Sequence, residues 1–301
     1  MNSEASESVA MRIAGLLQLR RIRWSLRRLY IPVSHSSLVL EVGSGGNPYP
    51  RSNVLLDAYE ETRERFWDPL VHDRPTILAF GENLPFKDKV FDFAIAAHVL
   101  EHTPDPDKFL SELQRVAHAG YIETPDAFME RINPYKDHRL EVTVRNNCLL
   151  IRKKASWIVD KELVELYEHR AKHCITREMI PKHPSDFHVR YYWKDQINFC
   201  VVNPEVDASW KPEAVVRPLK IERGLRGVLR GKGLKICRQV FSQNRRNKAL
   251  DILPLLRCPK CHGEAILRQQ SEIVSKYCGN RFSVKGNVCI RSPIDPPKDE
   301  H

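Results

Sequence analysis

The sequence predicts an α/β protein: a mostly parallel sheet with helices on both faces and an antiparallel edge, followed by a small C-terminal ribbon-like β module. Three observations carry this expectation. Short apolar runs alternate with helical stretches between Leu38 and Glu123. The first run ends in the glycine-rich turn Gly43-Ser44-Gly45-Gly46. A Cys-x-x-Cys pair, Cys258 and Cys261, opens a short segment of β character near the end of the chain. Strands covered on both faces read as continuous apolar runs, and their alternation with helices favours parallel pairing through crossovers.

Composition bounds the classes. The chain has 301 residues, 42% of them hydrophobic, enough for a sizeable core. No run of 18 apolar residues is present, so no transmembrane helix is expected. Met1–Ala10 is polar and acidic and lacks the basic start and apolar stretch of a secretory signal. Cys148, Cys174, Cys200 and Cys237 are scattered, as thiols of a reducing compartment are. The expected location is therefore cytoplasmic, with peripheral membrane contact open. The net charge of +10 concentrates at Arg20, Arg21, Arg23, Arg27 and Arg28 and between Arg217 and Lys248. Such a surface attracts anions: nucleic acid, anionic lipid or a phosphorylated substrate.

The elements follow in order. Residues 9–30 read as one helix, with Gly15, Leu19, Ile22, Leu26 and Leu29 along one side and the arginines mostly on the other. It either packs on the main domain, lies on an anionic membrane surface beside Trp24, or contacts nucleic acid. Five strands are expected at Leu38–Val42, Asn53–Leu56 (ending at Asp57), Thr76–Phe80, Phe91–Ala97 and Tyr121–Glu123, with a helix at Pro106–Ala117. Together these make a Rossmann-like sheet, whose ligands bind at the carboxyl ends of the strands. Arg139–Ile151 alternates around Asn146-Asn147, a hairpin signal. Lys161–Lys172 reads as a helix. Phe187–Trp193 and Ile197–Val202 read as two strands joined by Lys194-Asp195-Gln196, forming the antiparallel edge. Residues 206–250, with Gly224, Gly227, Gly231 and Gly233, read as a linker or loosely packed extension.

The turn after the first strand reads Glu41-Val42-Gly43-Ser44-Gly45-Gly46-Asn47-Pro48. Glycines there let the backbone turn tightly and approach a ligand. A nicotinamide fingerprint needs glycine where Pro48 stands, and a phosphate loop needs a Gly-Lys-Ser/Thr that is absent. What remains suits a nucleoside without phosphates, with Asp57 accepting hydrogen bonds from its ribose hydroxyls.

Further pieces follow in a fixed order: Val39–Gly46, Asp57, Gly81–Asp92, His98–Pro106 and Tyr121–Pro125. Over Leu38–Asp126 the chain resembles the class I S-adenosylmethionine-dependent methyltransferases, in the branch acting on small molecules, lipids and glycans. The resemblance implies S-adenosylmethionine as donor. It places Glu41, Gly43, Ser44, Gly45 and Gly46 at the methionine and ribose end, and Asp57 on the ribose. Glu82 and Asn83 would lie near the adenine. His98 would face donor and acceptor. Phe80 stands where relatives often carry an acid and would stack on or pack beside the adenine. Methyl transfer from a sulfonium chiefly needs alignment and exclusion of water. A base helps where the acceptor loses a proton, and the candidates are His98 first, then Glu101, His102 and Glu123. Asn133–Lys154 is the expected acceptor-recognition segment, with His138 and Arg139 placed to meet an anion.

Arg257–Ile290 resembles the small zinc-ribbon-like domains that accompany methyltransferases. Cys258, Cys261 and Cys278 supply three candidate zinc ligands, while Ser275 stands where a fourth thiolate is expected. Cys289 falls at a strand position, and His262 adjoins Cys261 awkwardly. The expected organisation is 1–37 basic amphipathic helix, 38–205 methyltransferase domain, 206–253 basic extension, 254–293 ribbon-like module and 294–301 disordered tail. The leading functional expectation is methyl transfer to a small-molecule, lipid-linked or glycan acceptor. Two rivals are an RNA methyltransferase, with nucleic acid as partner, and a non-catalytic module of the same fold that binds the donor or a partner.

Overall fold

The computed structural model describes residues 7–65, 67–211, 225–263, 266–269, 272–285 and 289–291. The expected tail at 294–301 lies outside them. In chain order the elements are α1 (Val9–Leu16), α2 (Arg20–Leu26), β1 (Val39–Val42), β2 (Val54–Asp57), β3 (Thr76–Leu78), β4 (Phe91–Ala97), α3 (Pro106–Val116), β5 (Ala117–Pro125), α4 (Ala127–Ile132), β6 (Leu140–Arg145) and β7 (Cys148–Lys153). There follow α5 (Lys161–Leu166), α6 (Lys172–Cys174), α7 (Ile180–Lys182), β8 (His188–Lys194), β9 (Phe199–Val201), α8 (Leu225–Phe241), α9 (Asn244–Ala249), β10 (Ile266–Gln269), β11 (Glu272–Ser275), β12 (Arg281–Lys285) and β13 (Cys289–Arg291). The chain divides into two compact units, each discontinuous in sequence: one of residues 35–95, 112–118 and 214–301, the other of residues 1–34, 96–111 and 119–213.

The first of these units carries strands in the order β10-β11-β12-β13-β3-β2-β1-β4. β1, β2, β3 and β13 pair in parallel, and β10 to β13 form an antiparallel meander. β1 and β2 are buried at every position, so they are apolar except for the hydrogen-bonded Glu41 in β1 and Asp57 at the end of β2. The ribbon-like segment is thus not a free-standing module. Its last strand, which begins at Cys289, extends the parallel sheet alongside β3.

The expected loose extension is helical over α8 and α9, and α8 runs through Gly227, Gly231 and Gly233. Gly224 lies outside the described residues. Glycine in a helix costs about 1 kcal/mol relative to alanine. Side chains at the end of this segment offset that cost by tying it to the sheet. Asn53 Nδ2 donates to Asn247 Oδ1 at 2.8 Å and to Gln243 Oε1 at 2.9 Å. Arg238 pairs with Asp73 at 2.6 Å. Arg246 donates to the carbonyls of His35, Ser36 and Ser37.

The second unit holds the N-terminal helices, the antiparallel pair β5–β8, and a separate sheet β6-β7-β9. The helix expected over residues 9–30 is broken: α1 ends at Leu16, Gln18 takes a left-handed φ of 55°, and α2 begins at Arg20. Asn146 and Asn147 both have positive φ, as the turn between β6 and β7 requires. β8 pairs with β5 as an antiparallel partner and alternates buried Val189, Tyr191 and Trp193 with less buried neighbours. β9, expected beside β8, pairs instead in parallel with β7. The helix expected at Lys161–Lys172 extends to Lys182 through two π-helical turns, Tyr167–Ala171 and Ile175–Met179. Among the described residues no helix is long and apolar enough to cross a membrane.

Arg74 fixes the first unit locally. Its side chain is 1% exposed, and Nη1 donates to the carbonyls of Tyr49, Pro50 and Ser52 at 3.3, 3.2 and 2.5 Å. Nη2 donates to Ser242 Oγ at 2.9 Å. Truncation would leave buried carbonyls and Asp73 under-satisfied, a loss of about 3 kcal/mol. Urea denaturation of Arg74→Ala should show that loss, against about 1 kcal/mol or less for Lys89→Ala, whose ammonium donates from a solvent-exposed position.

Candidate active site

In the first unit the glycine turn leaves β1 and returns toward β2 within a few residues. Gly43 and Gly45 take φ values of 70° and 57°, so these two glycines are required by backbone geometry. A Cβ on Gly45 would also sit 3.1 Å from Arg65 Cδ, and one on Gly46 would sit 3.3 Å from the Pro69 carbonyl oxygen. Ser44 Oγ is buried and has no hydrogen-bond partner among the described residues. An orphaned hydroxyl beside a tight glycine turn is the kind of feature a bound polar ligand satisfies.

Asp57 closes this cradle. Its Oδ2 accepts the Gly45 N–H at 2.9 Å; its Oδ1 accepts the Tyr59 N–H at 3.1 Å and an Arg65 guanidinium N–H at 2.8 Å. Arg65 is itself pinned by the carbonyls of Tyr59 and Glu60 at 2.9 and 2.8 Å. A carboxylate offers about four lone-pair sites, and these contacts leave room on Oδ2. Glu41 is buried, but its carboxylate turns to the protein. It accepts the Tyr49 N–H at 2.9 Å and the Ser52 hydroxyl at 2.5 Å. It braces the loop that holds the glycines.

Phe80 follows β3 and meets the Tyr59 ring edge-on, with centroids 5.8 Å apart, so the two aromatics form one wall beside Asp57. Asn83 Nδ2 donates to the Pro259 carbonyl at 3.3 Å, inside the Cys258–Cys261 knuckle. Glu82 lies in the same turn. Glu41, Gly43, Ser44, Gly45, Gly46, Asp57, Phe80, Glu82 and Asn83 therefore all lie in one unit, at or just beyond the carboxyl ends of β1, β2 and β3. Sequence reasoning missed Arg65, whose role no local pattern signals.

His98 belongs to the second unit and stands at the end of β4 with a left-handed φ of 58°. Strained backbone of this kind clusters at functional sites. Its Nδ1 is 3.4 Å from Glu101 Oε1 and its Nε2 is 3.4 Å from Glu123 Oε1. Desolvation opposes its charge, but the two carboxylates prevail and raise its pKa to about 9. At neutral pH such a histidine is protonated and offers N–H groups as hydrogen-bond donors. Neighbouring His188 is pushed the other way, to about 4, chiefly by burial.

Glu123 is 1% exposed and is held by Arg27 at 2.8 Å and by the Tyr121 hydroxyl. Desolvation by itself would raise its pKa. The hydrogen bond from His98 and the charge of Arg27 overcome that and hold the group well below 4.5. Arg27 was expected on the solvent side of the N-terminal helix. It is instead largely buried and stacked over Trp24 at 3.7 Å. Its partner is too distant in sequence for any pattern to show. His138 and Arg139, the expected anion contacts, are both engaged internally. His138 Nδ1 is 2.5 Å from Glu130 Oε2, and Arg139 Nη1 donates to the carbonyls of Ala208 and Trp210 at 2.9 and 2.7 Å.

Near the C-terminus, the Sγ atoms of Cys258, Cys261 and Cys278 lie within 4.8 Å of one another. Ser275 Oγ is 3.5 Å from Cys261 Sγ. These three thiols form a donor set of the kind that zinc binds, with the Ser275 hydroxyl beside Cys261.

Residues 40–122 match the family model described as a methyltransferase domain. The chain is 28% identical over 188 residues to the sterol 4-C-methyltransferase of Caenorhabditis elegans, a match covering 56% of this chain and 55% of that protein. It is 32% identical over 132 residues to an uncharacterized protein of Methanocaldococcus jannaschii, covering 42% of this chain and 60% of that one. The chain thus spans little more than half the length of either curated relative. Among solved structures, a SAM-dependent methyltransferase from Aquifex aeolicus is similar at 20% identity and a TM-score of 0.26, covering 35% of this chain and 63% of that one.

The buried pair Arg27–Glu123 generates a prediction. Arg27→Ala leaves Glu123 short of a cation and should destabilise the chain at pH 7 by about 3 kcal/mol. A carboxylate with a depressed folded pKa contributes stability above its unfolded value, and loses it as pH falls through the folded one. Denaturant titrations should therefore show the gap between variant and wild type widest above about pH 5 and narrowing in acid, as Glu123 takes up a proton.

Proposed function

We propose that the chain is an S-adenosylmethionine-dependent methyltransferase acting on an apolar small molecule or lipid. One observation carries the donor: a methyltransferase-domain match over 40–122 coincides with a cradle in which Gly45 and Asp57 are joined by a 2.9 Å hydrogen bond. The orphaned Ser44 hydroxyl beside the left-handed Gly43 and Gly45 fits the polar tail of such a donor. Bound there, S-adenosylmethionine would supply a methyl group already activated on a sulfonium.

The protein's own part is binding and alignment. Asp57 would accept from the ribose hydroxyls, Gly43 to Gly46 would lie against the sugar and amino-acid end, and Phe80 with Tyr59 would flank the base. Glu82 and Asn83 would sit near the adenine edge. His98, held protonated by Glu101 and Glu123, would position the acceptor as a hydrogen-bond donor. Cys258, Cys261 and Cys278 would hold a structural zinc. Its position against the turn bearing Asn83 would stiffen the donor side.

Two features support an apolar acceptor. The sterol methyltransferase relative is one. The other is the surface of α1 and α2, where Val9, Ile13, Leu16, Leu17, Leu19 and Ile22 are all exposed among arginines. An arginine-rich helix pair with an open apolar face suits an anionic membrane surface, where such acceptors dissolve.

Titration calorimetry with S-adenosylmethionine should give saturable binding, and Asp57→Ala should weaken it by about 100-fold or more. Absence of binding at millimolar donor, with unchanged thermal stability, would overturn the reading. Co-sedimentation with vesicles containing anionic phospholipid should retain the wild-type chain and lose Leu16→Asp/Ile13→Asp by about tenfold. Equal retention of that variant, or retention on RNA but not on vesicles, would count against the lipid acceptor.

A further inference from the structure

We infer that the second unit holds a divalent transition-metal site formed by Glu101, His102 and His138, separate from the cysteine cluster. One donor atom from each of the three lies within 4.8 Å of the other two. Three atoms at that spacing close onto an ion at about 2.1 Å by moving less than about 1 Å each. The donors come from two stretches of chain, the turn Leu100–His102 after β4 and the segment between α4 and β6.

Two further observations point to an ion. Glu101 is 2% exposed, and neither of its carboxylate oxygens accepts a hydrogen bond from the described residues; the contact to His98 is 3.4 Å, long for one. Paired only with His98 at that length, this buried carboxylate keeps lone pairs that no hydrogen bond from the described residues takes up, and a metal ion would take them. His138 is prepared as a ligand. Its Nδ1 is 2.5 Å from Glu130 Oε2, and Glu130 is anchored in turn by Lys154 at 2.7 Å. A carboxylate holding one ring nitrogen fixes the tautomer and leaves the other nitrogen as a lone-pair donor, the usual outer arrangement around metal-bound histidine. The imidazoles of His102 and His138 stand nearly perpendicular at 4.7 Å, so both rings reach the same volume. Tyr135 stacks on His138 at 4.8 Å and limits its rotation.

Two imidazoles and one carboxylate select first-row divalent ions such as zinc, iron(II), manganese or cobalt over magnesium and calcium, which prefer oxygen. Held there, the ion would lock the Leu100–His102 turn to the start of β6, where the Arg139 N–H already donates to the Glu101 carbonyl at 2.7 Å. The inference does not depend on the methyl-transfer reading.

The test uses the full chain, stripped with chelator and reloaded with cobalt(II). Elemental analysis should find one cobalt fewer per chain in His138→Ala and in His102→Ala than in wild type, while thiolate-to-cobalt charge-transfer absorption from the cysteine cluster is unchanged. Glu101→Gln should weaken that ion by about tenfold or more. Proton NMR of the loaded wild type gives a second reading that does not depend on how the histidine variants fold: paramagnetically shifted imidazole N–H signals are expected. Equal cobalt content in wild type and folded variants, or no shifted imidazole signals in the wild type, would overturn the site.

Discussion

A carboxylate removed from water must be met by a donor or a cation, and five such groups organise this molecule. Glu41 is met by the Tyr49 N–H and the Ser52 hydroxyl, which fixes the return of the chain after β1. Asp57 is met by Gly45, Tyr59 and Arg65, which shapes the cradle at the end of β2. Glu123 gathers Arg27 and the Tyr121 hydroxyl, and Glu130 gathers His138 and Lys154. Glu101 is met more loosely, by the His98 imidazole at 3.4 Å. Buried ion pairs add little net stability over apolar packing, but removing one partner is severe. The value of these pairs is therefore positional: each pins a strand end or a turn at which chemistry can be placed.

The same principle separates the two kinds of candidate site residue. Gly43, Gly45 and Ser44 are shaped by backbone demands and present little of their own charge. His98, Glu101 and Glu123 are shaped by mutual electrostatics, and they set one another's protonation. A neutral His188 beside a protonated His98 illustrates how closely spaced environments drive like groups apart.

Much of this was legible in the sequence, and the limits are physical. β1 and β2 were readable because burial on both faces forces short runs that are apolar but for Glu41 and Asp57, and the glycine turn was readable because left-handed φ selects glycine. The Asn146-Asn147 turn was readable for the same conformational reason. The partner of β9 was not: a three-residue strand with no distinctive alternation carries no information about which edge it joins. α8 was hidden because glycine content argues locally against helix, while the anchors Asn53 and Asp73 lie far away in the chain. Arg27 looked like one solvated arginine among several, since its acid partner lies 96 positions further on.

The parallel pairing of β13 with β3 has a consequence for how the chain is made. β3 lies at positions 76–78 and its outer neighbour at 289–291. During synthesis the amide groups along that side of β3 go unanswered until about 210 further residues have been made. An open strand side is a template for pairing with other chains, and contacts this distant in sequence form slowly. β13 therefore acts as an intramolecular cover, and the interval before it arrives is when this side of β3 is open to misassociation.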